Sequence, residues 1–267
     1  MNLKKQYKQL FFVSGLIFFV FGLTACNFET IATGETQTKN ETVEIGKAET
    51  ADINITMGVG DLMIRGGSAD LMDAEFKYNI ADWEPELSYT VSGSNGRLNV
   101  TQPESDFDGF PDRDIVYDWD LQFNEDVPME MDVKLGVGNS ELNLESFNLS
   151  RLSVETGAGR SNIVLGNSPL SIVDVKAGVG EVDLDLSGDW QEDANISIES
   201  GVGEMSIVVP SDVGVIVDAD MGLGDLDANG FIVQGDNYVN ETYGESSTTM
   251  SIKLTGGIGR VTLQLEN

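Results

Sequence analysis

The stretch Val173-Asp174-Val175-Lys176-Ala177-Gly178-Val179-Gly180-Glu181-Val182-Asp183-Leu184-Asp185-Leu186 decides the fold. Apolar residues alternate with polar ones through it, which is the pattern of a half-buried strand. The alternation changes parity at the glycine pair: Val175, Ala177 and Val179 are odd, whereas Val182, Leu184 and Leu186 are even. A strand keeps one face inward only while its parity is unbroken, so a one-residue shift demands a bulge or a corner. Glycine suits such a corner because it accepts backbone angles closed to other residues and lets neighbouring chains approach closely.

The same grammar recurs along the chain. Gly-x-Gly begins at Gly58, Gly136, Gly157, Gly178, Gly201, Gly222 and Gly257, and the five from Gly136 to Gly222 are 21, 21, 23 and 21 residues apart. The residue between the glycines is always apolar: Val59, Val137, Ala158, Val179, Val202, Leu223 and Ile258. A fixed period in the twenties is the signature of a stacked architecture. The fold class is therefore all-β, a stacked β-repeat (β-solenoid) with Gly-x-Gly units of about 21 residues. Each unit is predicted to be two strands joined at a corner. Units stacked about 4.8 Å apart would place Val137, Ala158, Val179, Val202 and Leu223 in one buried column. A two-sheet sandwich of hairpins is the alternative with the same strand count.

Working outward, residues 129–267 form the predicted β-repeat domain and residues 43–128 an N-terminal β cap subdomain. The cap has one Gly-x-Gly and less regular strands around 74–80, 87–91 and 97–101, as expected of a terminal unit that closes the end of a stack. Residues 26–42 are polar and rich in Thr and Glu, and are expected to be a flexible tether. Residues 1–25 read as an export signal: Lys4, Lys5 and Lys8 precede an apolar run from Leu10 to Leu23 that is shorter than the roughly 20 residues of a membrane-spanning helix. The run ends in Leu23-Thr24-Ala25-Cys26, which resembles a bacterial lipobox. That resemblance implies a lipid on Cys26, cleavage just before it, and a chain held to the extracytoplasmic face of a bacterial membrane. Cys26 is the one cysteine of the sequence, so a lipidated Cys26 leaves no thiol for a disulfide.

Charge and composition narrow the function. The chain has 45 acidic and 15 basic residues, a net charge of −30, or −33 without the three lysines of the signal. Such a surface repels nucleic acid and anionic headgroups and favours basic partners or cations. There is no histidine, which removes the commonest general base and metal ligand.

At this point the sequence resembles a known family. Trp119-Asp120-Leu121-Gln122-Phe123, then Val127-Pro128, then LGVGNSELNLESFNLSRLSVETGAG from Leu135 to Gly159, look like the bacterial toast-rack proteins, which are related to the C-terminal domain of LiaF-like cell-envelope stress proteins. The run GVGDLMIRGGSADLMDAEFKY from Gly58 to Tyr78, followed by Trp83-Glu84-Pro85-Glu86-Leu87, looks like that family's N-terminal domain. The resemblance implies a stacked β architecture in an envelope setting and supplies no catalytic residues. The LiaF-like proteins span the membrane, whereas this chain is expected to use a lipid anchor.

The candidate sites are few. No helix is expected after any Gly-x-Gly and the third glycine of the dinucleotide fingerprint is missing, so these motifs read as structural corners. Glu181, Glu204 and Asp225 each follow a motif; aligned in a stack they would stand about 5 Å apart, a repulsion that hydration or a weakly bound divalent cation would relieve. Residues 104–126 hold nine acids and one base, Arg113, without the spacing of a calcium loop. Trp119, Leu121 and Phe123 alternate there as strand core, and Phe107 and Phe110 are the candidates for an exposed contact patch. No catalytic, cofactor-binding or metal-binding residue is assigned, and no cofactor is expected. The expected role is binding, scaffolding or adhesion toward a protein or cell-wall partner. The alternatives are an envelope-stress regulator like the LiaF-like proteins and, through paired carboxylates, a glycan-active β-helix enzyme.

Overall fold

Apolar alternation on both sides of a glycine pair makes one long strand with a crease in it. The computed structural model describes residues 29–31, 33–103, 109–111, 114–166 and 169–266. In chain order the strands are β1 (Glu29–Ile31), β2 (Gln37–Val43), β3 (Thr50–Val59), β4 (Asp61–Gly66), β5 (Met72–Tyr78), β6 (Glu86–Ser92), β7 (Asn95–Thr101), β8 (Gly109–Pro111) and β9 (Tyr117–Phe123). They are followed by β10 (Met129–Asn143), β11 (Leu149–Val164), β12 (Ile172–Asp185), β13 (Ala194–Val209), β14 (Gly214–Asn229), β15 (Ile232–Gln234), β16 (Asn237–Val239) and β17 (Thr249–Leu265). Among the described residues one 3-10 turn, Ala81–Trp83, interrupts the strands.

The expectation of two strands per unit is corrected here. β10 to β14 and β17 each run unbroken through their Gly-x-Gly. The neighbouring strand pairs with both arms in one register, for example Leu135 with Thr156 before the crease and Val137 with Ala158 and Gly138 with Gly159 in it, so the register carries through the crease. β3 and β4 repeat the arrangement around Gly60 and pair with the first and second arms of β10.

The crease needs glycine for two separate reasons. The second glycine of six motifs has a φ between 139° and 145°, a region that side chains avoid. A Cβ on the first glycine of β11, β12 or β13 would also lie 2.1–2.3 Å from the carbonyl oxygen of the glycine one strand earlier. Parity changes at this point, so both arms turn their apolar rows to one continuous core. Met131, Val133 and Leu142 share it with their counterparts on β11, and Leu135 of the first arm with Met57 of β3.

One 15-stranded sheet contains almost everything. Its parallel centre runs β10-β11-β12-β13-β17-β14, and β17 is inserted between β13 and β14 out of chain order. The residues reveal why. Val261 and Leu263 in the second arm of β17 are fully buried, whereas β14 offers only Leu226 and Ala228 there, both partly exposed. On the outer face β17 carries Arg260 between Glu204 and Asp225, and Lys253 beside Asp218. Direct pairing of β13 with β14 in the crease register would set Glu204 against Asp225, and like charges directly opposite are destabilising.

The sheet passes without interruption through the boundary expected at residues 128 and 129. On the first arm it continues through β3, β7 and β6, and on the second through β4, β9, β5 and β2. The N-terminal region closes its end with antiparallel pairs, β6 on β7, β5 on β9 and β2 on β5. The expected tether is shorter than its composition indicated, because Gln37–Val43 pairs residue for residue with β5. An edge strand can be polar on both faces, since backbone pairing rather than burial holds it. Aromatic residues fill the space beneath: Trp83 stacks edge-to-face on Tyr117 at 5.5 Å, Phe76 on Trp119 at 5.4 Å, and the Tyr117 hydroxyl donates to the Trp83 carbonyl at 2.8 Å. Burial pushes the Tyr117 phenol well above its ordinary range. Trp119, Leu121 and Phe123 are core, as their alternation predicted.

Gln102 finishes the crease at this end. Its buried Oε1 accepts hydrogen bonds from the Gly58 and Val59 N–H groups at 2.8 and 3.0 Å, standing in for a further strand. Gln102→Ala leaves both donors without their partner and is expected to cost about 2–4 kcal/mol in urea unfolding; a loss below about 0.5 kcal/mol would contradict this capping role.

Candidate contact surface

Seven aliphatic residues form a ladder along the outside of the crease. The register runs Val59, Val137, Ala158, Val179, Val202, Ile258 and Leu223 across successive strands. Strand spacing makes it roughly 29 Å long. Of these, Val137, Ala158, Val179, Val202 and Leu223 were expected in one buried column. Instead Val137, Val179, Val202, Ile258 and Leu223 are 53, 58, 46, 52 and 81% exposed, and Val59 and Ala158 are half-buried. The reason is local: where parity shifts, the residue between the glycines belongs to neither inward row and stands on the outside of the bend. A contiguous exposed aliphatic row of this length is unusual on a protein surface.

Polar ladders flank it on both sides. Just before the crease, Lys134, Glu155, Lys176 and Glu199 alternate in sign on adjacent strands, with Lys176 and Glu199 paired at 3.4 Å. Just after it come Asp61, Asn139, Arg160, Glu181, Glu204, Arg260 and Asp225, with Arg160 in an ion pair to Glu181. The expected row of three adjacent carboxylates is corrected by the strand order: Glu181 neighbours Glu204, but Arg260 separates Glu204 from Asp225. Arg260→Glu would create four adjacent acids. It is expected to lower stability by about 1–2 kcal/mol in dilute buffer, with most of the loss recovered in molar salt; a loss unaffected by salt would count against an electrostatic origin.

Beyond this ladder a groove of about 760 Å³ opens on the second arm, lined among others by Asp61, Glu75, Asp118, Asp120, Lys77 and Arg160. Burial, and then the nearby Asp61 carboxylate, raise the Asp118 carboxyl against the opposing pull of Lys77. Among the described residues, no group of three or more His, Cys, Asp or Glu side chains is arranged to hold a metal ion. Cys26, Phe107 and the residues 104–108 and 112–113 of the acidic stretch lie outside the described residues, as does the side chain of Phe110.

This geometry of creased parallel strands with a glycine ladder can be set beside known proteins. The family model described as the N-terminal domain of toast_rack, DUF2154, matches residues 32–171 and 152–208, more than half of the chain. The chain belongs to the toast-rack family. A solved structure, that of a candidate cell adhesion protein from Clostridium sporogenes, is 30% identical over 87% of this chain and 100% of its own, with a TM-score of 0.66. A candidate adhesin from Bacteroides fragilis is 14% identical, covering 87% of this chain and 99% of its own, at a TM-score of 0.46. A candidate lipid-binding protein from Parabacteroides distasonis is also 14% identical with the same coverage, at 0.34. No curated protein matches the chain.

Two features of the surface escaped sequence reasoning. The exposure of the ladder was open to inference, because a residue at a parity break has no reason to follow either inward row. The position of β17 had a signal in spacing: Gly257 follows Gly222 by 35 residues, well outside the 21–23 of the other units.

Proposed function

We propose that this toast-rack protein is a non-catalytic adhesion or scaffolding protein at the outer face of a bacterial membrane, anchored through a lipid on Cys26. The crease is its contact surface. The observation that carries this reading is the row of five aliphatic side chains, each about half or more exposed, held rigidly at strand spacing by the ladder beneath. An exposed aliphatic row of that length gains free energy only when another surface covers it. The relationship to a candidate cell adhesion protein at 30% identity supports the same reading. The partner is a protein or cell-wall surface that presents a flat apolar strip.

Two measurements test the two halves of the proposal. Membrane fractionation of the producing cells is expected to find the chain in the membrane pellet and Cys26→Ala in the soluble or unprocessed fraction; equal partition of both would remove the anchor. Beads coated with the protein are expected to retain intact bacterial cells or isolated cell wall. Retention no greater than on beads carrying an unrelated protein of equal net charge would remove the adhesive role.

A further inference from the structure

The two ends of the stack are finished differently. At the N-terminal end of the crease Gln102 occupies the last backbone donors. At the other end, the first arm of β14 is also covered: β16 pairs with Ile216 to Asp218, and the buried Asn240 bonds the Val213 carbonyl at 2.8 Å and the Val215 N–H at 2.9 Å. The remainder of β14, from Ala219 to Asn229, pairs with β17 on one side and with no strand on the other among the described residues. Its inward residues Leu226 and Ala228 stay partly exposed, while the residues in register with them on β17, Val261 and Leu263, are fully buried. Leu223 is 81% exposed beside them. Backbone groups, core positions and the aliphatic ladder are thus all left one strand short along the same line.

The side chains define what can fill that place. Asp220, Asp225 and Asp227 alternate with the apolar residues along the open part of β14 and lie on its exposed face. Aspartates on an edge strand oppose pairing with another acidic strand: β14 of a second copy would bring the same aspartates, and any approach of two chains of net charge −30 is opposed by repulsion. A strand with aliphatic residues at alternate positions and Lys or Arg between them meets both requirements. Its aliphatic residues extend the rows of Leu226 and Ala228, and its cations face Asp225 and Asp227.

We infer that the second arm of β14 is a strand-addition site for an extended cationic segment of a partner protein. The site lies at the opposite end of the sheet from β2, the first strand of that sheet after Cys26 in the chain. It does not depend on the crease being adhesive, since it uses backbone hydrogen bonds and the Asp225 and Asp227 carboxylates rather than the ladder as a whole.

The test uses the full chain in nonionic detergent at physiological salt and a synthetic peptide of about ten residues alternating Val and Lys, matched to a typical long strand. The peptide is expected to bind, and the Val–Glu analogue is not. N-methylation of alternate peptide amides keeps the charge but removes strand pairing, and is expected to weaken binding at least about tenfold. Asp225→Lys with Asp227→Lys is expected to do the same, whereas Glu141→Lys with Asp183→Lys, an equal charge change on the same face, leaves affinity unchanged. Absence of binding, undiminished binding of the N-methylated peptide, or equal loss in both double variants would overturn the inference. Threonine substitutions at Val179, Val202 and Ile258 leave peptide binding intact, so failure of this site and failure of the adhesive crease are separately visible.

Discussion

Gly180→Ala is expected to lower stability by more than about 4 kcal/mol, or to abolish soluble expression, whereas Gly224→Ala costs only about 1 kcal/mol. Both are second glycines of the same motif, so sequence alone treats them as equivalent. At Gly180 the backbone φ is 141° and an added Cβ would lie 1.8 Å from the Gly159 carbonyl oxygen. That contact is with backbone inside the stack, where β11 is held on its far side by β10 and cannot retreat. Conformational strain of about 1–3 kcal/mol adds to the steric conflict and to any hydrogen bonds lost in relieving it. Gly224 has no positive φ, its Cβ would lie 2.7 Å from the Gly259 oxygen, and β14 is the last long strand of the stack, free to shift outward. Urea unfolding followed by far-ultraviolet circular dichroism checks the pair. Equal losses would mean that the crease is not the rigid element described.

Replacing Val179, Val202 and Ile258 together by threonine is expected to leave stability within about 1 kcal/mol while reducing adhesion at least about tenfold. Threonine keeps the branched shape and strand preference but gives a polar surface. The three residues are adjacent on β12, β13 and β17 and each is about half exposed, so the folded state loses little when they become polar. A partner that covers them loses about 1 kcal/mol at each, so the effects multiply in the dissociation constant. Bead retention of cells checks the adhesive loss and urea unfolding checks the fold. Loss of stability with unchanged adhesion would assign the ladder to the structure instead of to contact.

The period of 21–23 residues and the parity break were sufficient to read a stacked all-β fold, because alternation reports burial directly and glycine reports a backbone constraint. The inward rows followed the same way: Val175, Val182, Leu184 and their counterparts on β10, β11, β13 and β17 are buried where their parity put them. The side-chain caps were not legible. Gln102 and Asn240 are ordinary polar residues in sequence, and only the strand ends that they meet in space give them a role.

What the sequence determined by itself was the repeat, the strand class and the inward face of each arm, since these depend on contacts a few residues apart or on one periodic pattern. Tertiary structure alone decided which way the residue between the glycines points, and that Arg260 on β17 separates the acids of β13 and β14. It also decided that, among the described residues, the second arm of β14 has a strand, β17, on one side alone. Those outcomes depend on which strands lie side by side, and that choice is made by the packing and charge of whole strands rather than by any residue's local preference.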